Sequence, residues 1–228
     1  MRKALVVIFS VLLADQVLKI WVKTHMLRNE AINIFANWFQ IHFIENSGMA
    51  FGMEFSGIYG KIFLSLFRIF VVMGLGYYLL SLIKKKSPTG LIISGSLIFA
   101  GAIGNIIDSA FYGVIFTQSN EFELAKIFPA HGYASFLHGS VVDMLYFPLV
   151  HGHFPTWFPI WGGEDFEFFR PVFNIADSSI TVGVSLILIF QKSFFHKEIE
   201  ATEATETKPE EIPDPTLEIA SETAPELP

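Results

Sequence analysis

Four aspartates set among apolar residues carry most of the chemical potential of this chain: Asp15, Asp108, Asp143 and Asp177. Two of them close short motifs, VVD at 141–143 and FNIAD at 173–177. Carboxylates brought close together resist simultaneous ionisation, so one keeps a proton while the other is charged. Such a pair can take a proton from water and give one to a carbonyl oxygen in the same site. The sequence has no Cys, which removes thiol nucleophiles, thiolate metal sites and disulfides together. A Ser–Lys arrangement at Ser178 or Ser179 lacks its base, because the available lysines cluster at the other end of the hydrophobic segments. His131, His138, His151 and His153 share one aromatic segment without an HExxH helix. That spacing reads as ordinary loop chemistry, and no metal or other cofactor is expected.

The elements that must position these residues are apolar. Hydrophobic residues make up 52% of the 228 and the mean hydropathy is +0.49, which points away from a soluble domain and toward a few membrane spans. Runs at about 4–22, 61–83, 91–108 and 174–191 read as four transmembrane helices. The first follows Arg2 and Lys3 and has the look of either a cleavable leader or a retained helix. It continues past Asp15 and Lys19 without an A-x-A pattern, so a retained helix is expected. The third is rich in small residues, Gly95, Gly101, Ala102 and Gly104, which let membrane helices approach closely.

Two longer connections, 24–60 and 109–171, join the spans. In the first, Phe39, Ile41 and Phe43 alternate with Gln40 and His42 at the period of a half-buried strand. ENSGMAFG at 45–52 follows, with turn chemistry at Asn46, Ser47 and Gly48. The second holds Trp157 and Trp161 in an aromatic stretch suited either to the membrane interface or to a loop packed on itself. The fold class is therefore integral membrane, mainly α, with a small sheet and an interfacial segment on the outer side. A membrane unit at 1–197 precedes a tail at 198–228 that reads as disordered. Between 201 and 228 eight acidic residues face the single Lys208, which accounts for the whole net charge of −7. The remainder is neutral and has no basic footprint for nucleic acid.

Positive charge sets the expected orientation, since it collects on the cytoplasmic side. Arg2 with Lys3, the run Lys84, Lys85, Lys86, and Lys192 with Lys197 fall on one side if there are four spans. Both termini are then cytoplasmic, and all four aspartates meet near the outer surface. Ionisable residues at that depth need a partner, a wet cavity or a function. Asp15 and Lys19 have i,i+4 spacing, which fits an ion pair on one helix face or a contact with substrate. Asn105 and Asp108 share a face, and a carboxylate at a helix C-terminus needs compensation. Arg68 is the candidate partner, its other reading being a side chain that snorkels to the interface. Asn174 and Asp177 have the spacing of a capping box, compatible with catalysis because a helix N-terminus both fixes a carboxylate and favours its charge.

Five blocks together resemble the lipoprotein signal peptidase family, the type II signal peptidases of bacteria. They are DQVLKIWV with Asp15 and Lys19, ENSGMAFG with Asn46, Gly48 and Phe51, GAIGNIID with Gly104, Asn105 and Asp108, VVDM with Asp143, and FNIADSSI with Asn174, Ala176 and Asp177. The resemblance implies a catalytic pair at Asp143 and Asp177, with Asp15, Lys19, Asn46, Gly48, Asn105, Asp108 and Asn174 supporting the site or the substrate. It implies four spans with a small outer sheet and an outer interfacial helix. The implied substrate is a prolipoprotein carrying a diacylglyceryl group on the Cys that becomes the new N-terminus. A monomer in contact with membrane lipids, in the bacterial inner membrane with its site at the periplasmic face, completes the expectation. The chain departs from the family pattern at Ser109, where Arg is usual, and Arg68 is the candidate substitute. Two readings from other classes stand beside this one: a small transporter or channel with an Asp- and Asn-lined path, and a non-catalytic membrane scaffold.

Overall fold

Hydrophobic length decides the first level of structure. The computed structural model describes residues 1–35, 38–46, 58–148, 150–168 and 171–206. Helices α1 (Arg2–His25), α2 (Ile58–Lys84), α3 (Thr89–Ile107) and α5 (Ile175–Glu206) each contain a stretch long and apolar enough to cross a membrane. The third span does not stop at Asp108 as expected. A π-helical turn at Asp108–Tyr112 and the short α4 (Gly113–Ile115) extend it to Ile115. No proline interrupts that run, and the wider turn keeps the chain helical while changing the direction of its side chains. The last helix likewise passes the expected boundary at 198 and reaches Glu206, in a stretch of Ala and Glu with good helix propensity. Gly48 lies outside the described residues, as does the rest of 47–57. The outer helix implied by resemblance has no counterpart among the described residues.

Helix α3 is central and packs on α1, α2 and α5. Lipid offers no hydrophobic gain for helix association, so contact depends on close packing. A Cβ on Gly101 would lie 2.2 Å from the Ala176 carbonyl oxygen and 2.5 Å from Ser179 Oγ, so α3 and α5 meet backbone to backbone.

The end of the helix bundle that carries the sheet is built by strand alternation. Strands β1 (Ala31–Phe35), β2 (Phe39–Asn46) and β3 (Val141–Tyr146) form an antiparallel sheet in the order β1-β2-β3. Sequence reading placed Asp143 in a loop; it lies instead in the middle of β3, paired with Ile44. Successive side chains of a strand point to opposite faces. Val142 and Met144 enter an apolar cluster with Val22, Met26, Phe43, Tyr112 and Phe116, which leaves Val141 and Asp143 facing the other way. Each of the larger buried side chains contributes about 1.5–3 kcal/mol where the unfolded alternative is water. Lys23 of α1, also buried, is ion-paired to Glu45 of β2 and donates to Ser119 Oγ at 2.8 Å.

A separate hairpin of β4 (Val150–His153) and β5 (Asp165–Phe168) carries the aromatic segment. Phe158 stacks on Phe154 and Trp161, while Trp157 and Ile160 remain exposed. The segment thus packs on itself and still presents apolar side chains outward.

Close packing at Gly101 makes a specific prediction. Gly101→Ala should lower the thermal midpoint of the purified protein, an overpacking cost of about 1–3 kcal/mol. Gly74→Ala, with nothing within 4 Å of the added Cβ, should leave the midpoint unchanged or raise it slightly.

Candidate active site

The site starts from a buried lysine. An ammonium group has three donors, and Lys19 Nζ uses them on Asp15 Oδ2 at 2.9 Å, Asp108 Oδ2 at 2.7 Å and Asn105 Oδ1 at 2.9 Å. Lys19, Asp15 and Asp108 are fully buried. The i,i+4 pair anticipated from spacing is present, yet it is only part of a three-acceptor cluster. The partner proposed for Asp108 is corrected: Lys19 holds it, whereas Arg68 Nη1 reaches Ser109 Oγ at 3.4 Å. Asp108 has no helix C-terminus to oppose, because the helix continues beyond it.

The cluster ties several elements together at the end of the bundle that carries the sheet. Asp15 Oδ1 accepts the Ala176 N–H at 2.9 Å, fixing the start of α5. Asp108 Oδ2 accepts the Val142 N–H at 3.3 Å, fixing β3. Gln16 Nε2 donates to Asp108 Oδ1 at 2.9 Å and to Asp15 Oδ2 at 3.1 Å, while its own oxygen accepts from the Tyr112 hydroxyl. Sequence reasoning did not single out Gln16, although its place between Asp15 and Lys19 in the first block was the available signal.

Lys19 also orients the amides that face the two remaining aspartates. Because the ammonium can only donate, Asn105 must turn Oδ1 toward it. Nδ2 then points at Asp177 Oδ1 and donates at 2.8 Å. Asn174 is fixed in the same way. Its Oδ1 accepts the Asp177 N–H at 2.9 Å as an N-cap, and the Asn174 N–H returns to Asp177 Oδ2 at 3.4 Å, closing the expected capping box. Its Nδ2 is thereby free to donate to Asp143 Oδ1 at 2.7 Å and Asn105 Oδ1 at 3.2 Å. Phe173 and Leu145 exchange backbone hydrogen bonds at 2.7 and 3.0 Å, which docks the start of α5 on β3.

Asp143 and Asp177 consequently line one cavity of about 270 Å³. Asn46, Asn105 and Arg68 complete its polar side, and Phe67, Val71, Val72, Ala102, Val141 and Ile180 form the apolar side. Burial, reinforced by the nearby Asp177 charge, pushes the Asp143 carboxyl up to about 7 against the hydrogen bonds from Asn174 and Asn46. Of the residues expected at the site, Asp15, Lys19, Asn46, Asn105, Asp108, Asp143, Asn174 and Asp177 come together, while Gly48 lies outside the described residues. Ser178 and Ser179 follow Asp177 on α5 with their hydroxyls donated to the Asn174 and Ala176 carbonyls. Among the described residues no three potential metal ligands gather.

A spanning helix and a strand of the small sheet that deliver two carboxylates to one partly apolar cavity define a class, membrane proteins equipped for aspartic peptidase chemistry. Residues 7–193 match the family model for signal peptidase (SPase) II. A lipoprotein signal peptidase of Porphyromonas gingivalis (strain ATCC 33277) is 55% identical over 185 residues, covering 80% of this chain and 79% of that protein. One from Amoebophilus asiaticus (strain 5a2) is 36% identical over 201 residues, covering 87% and 81%. A bacterial membrane enzyme solved by the in meso method at 2.3 Å resolution superposes with a TM-score of 0.55 at 25% identity, covering 92% of this chain and 93% of that one. A second, at 1.9 Å resolution, gives 0.56 at 27% identity over 83% and 92%. The chain belongs to the signal peptidase II family and is a membrane aspartic peptidase. The transporter and scaffold readings fall away with that membership.

Asp143 links the site to stability. Its folded value, about 7, lies above the ordinary 3.8, so between these values the folded protein holds a proton that the unfolded chain releases. Stability should therefore fall as pH rises through that window. Asp143→Asn removes this dependence. Its thermal midpoint relative to the parent should be higher on the alkaline side of 7 than near 4, as measured by melting the two proteins in parallel.

Proposed function

We propose that this protein removes the signal peptide from prolipoproteins, with Asp143 and Asp177 as the pair that activates water and protonates the scissile carbonyl. The observation that carries this reading is the shared cavity, in which each carboxylate is gripped by an asparagine amide and Asp143 holds its proton up to about 7. In the starting state Asp143 is protonated and Asp177 is ionised. Asp177 takes a proton from water as the water oxygen bonds to the carbonyl carbon, and Asp143 gives its proton to the carbonyl oxygen. The resulting diol collapses as the C–N bond breaks. The proton on Asp177 passes to the departing nitrogen, and a hydroxyl proton returns to Asp143, which restores the pair.

The substrate is a precursor already bearing a diacylglyceryl group on the Cys that becomes the new N-terminus. The apolar wall formed by Phe67, Val71, Val72, Ala102 and Ile180, between α2 and α5 with α3 behind, supports a lipid entering sideways from the bilayer. The protein works as a monomer in the bacterial inner membrane, with both termini cytoplasmic and the cavity at the periplasmic face. Supporting this orientation, Arg2, Lys3, Lys84, Lys85, Lys86 and Lys192 lie at or next to the ends of the membrane-crossing stretches opposite the sheet.

Purified protein in liposomes should cleave a diacylglyceryl-modified precursor and leave the unlipidated form intact. Asp143→Asn and Asp177→Asn should each lower the rate by about 10²–10⁴-fold while remaining folded. Equal cleavage of both precursors would contradict the substrate assignment, and full activity in either variant would remove that residue from the mechanism. Because Asp143 must carry a proton, kcat/KM should also decline as pH rises past about 7, with the limb belonging to the pair rather than to one residue.

A further inference from the structure

Arg68 is the charged side chain that the mechanism above leaves unused. It lies on α2, where neighbouring Phe67, Phe70 and Val71 are exposed on the surface of the helix bundle. A guanidinium at such a position is retained where a partner or a wet cavity receives it. Arg68 has both. It lines the same cavity as Asp143 and Asp177, and it is the one cation among the described residues of that lining. Lys19 cannot take this part, since its three donors are committed behind Asn105.

The brace that holds Arg68 is directional. Ser109 Oγ donates its proton to the Asn105 carbonyl at 3.1 Å, leaving lone pairs to accept from Arg68 Nη1 at 3.4 Å. The opposite charge that Arg68 meets in the cavity is Asp177. Asp143, on the far strand, is held by the neutral amides of Asn174 and Asn46 and faces the Lys19 charge, which is itself shared between Asp15 and Asp108. The other charges nearby are committed to one another: Asp15 and Asp108 to Lys19, and Glu45 to Lys23. The two carboxylates therefore face unequal surroundings.

We propose that Arg68, braced by Ser109, is a positioning residue that keeps Asp177 the ionised member of the pair and so leaves the shared proton on Asp143. This rests on the assignment of the pair made above. It also gives a physical account of Ser109, whose hydroxyl accepts from a cation delivered by α2. A guanidinium that only snorkelled toward water would have no bearing on which carboxylate is charged.

The test is cleavage of the diacylglyceryl-modified precursor across pH by Arg68→Gln, Arg68→Lys, Ser109→Ala and the double variant Arg68→Gln/Ser109→Arg. Loss of the cation should move the acid limb of the kcat profile upward by about one pH unit. On the acid side of that limb it should lower kcat by about tenfold with KM little changed. Arg68→Lys should keep the acid limb in place, Ser109→Ala should move it in the same direction as Arg68→Gln but less, and the double variant should return it toward the parent position. An unchanged acid limb in Arg68→Gln, or a change confined to KM, overturns the proposal. If Arg68→Gln does not fold, an unshifted limb in Ser109→Ala overturns it equally. Should Asp143→Asn or Asp177→Asn remain active, the pair itself fails whatever Arg68 does; should both be inactive while Arg68→Gln behaves as the parent, only the present proposal fails.

Discussion

The structure depends on one buried ammonium group. Transferring a lysine charge out of water costs several kcal/mol unless its donors and counter-charges are fully matched. Lys19 meets that condition with two carboxylates and an amide oxygen, one for each N–H. The acceptors belong to α1, to α3 and to the π-helical turn that follows it. Their remaining oxygens reach onward to the start of α5 through Ala176 and to β3 through Val142. A single charge thus fixes the relative placement of three spans and the edge strand β3 of the three-stranded sheet.

From this cluster the order propagates through amide orientation. Lys19 decides which end of Asn105 faces Asp177, the α5 N-cap decides which end of Asn174 faces Asp143, and the two asparagines touch each other. Two solvents cooperate in holding this arrangement. Beneath the site, lipid rewards only close contact, which the Gly101 approach to Ala176 supplies. Above it, the cluster of Val22, Phe43, Val142 and Met144 is buried against water in the ordinary way. Asp143 sits where the two regimes meet, buried and lining the same cavity as Asp177.

What could be read from the sequence was local. Spans follow from uninterrupted hydrophobic length, and the Asn174–Asp177 capping box and the Asp15–Lys19 pair follow from spacings of three and four on a helix. The common depth of the four aspartates followed from lysines at the opposite ends. The rest required contacts remote in sequence. Gln16 reaches Asp108 across 92 positions, and no periodicity reports such a meeting. VVDMLY did not read as a strand, since apolar residues occupy both faces around Asp143, and its pairing partner β2 lies about a hundred residues earlier. The extension past Asp108 was hidden because a carboxylate resembles a stop signal, while a π-helical turn is set by tertiary packing. Arg68 was noticed as a costly charge, but its partner could not be chosen among candidates whose distances only the fold defines.

The central claim is that this network leaves a single shared proton on Asp143. Infrared difference spectroscopy of the carboxyl C=O stretch tests it most directly, comparing the parent protein on the acid and alkaline sides of about 7 with Asp143→Asn and Asp177→Asn as references. The account predicts a protonated carboxyl band in the parent on the acid side that fades through about 7, vanishes in Asp143→Asn and persists in Asp177→Asn. A band that survives in Asp143→Asn and is lost in Asp177→Asn would place the proton on the other carboxylate and contradict the account.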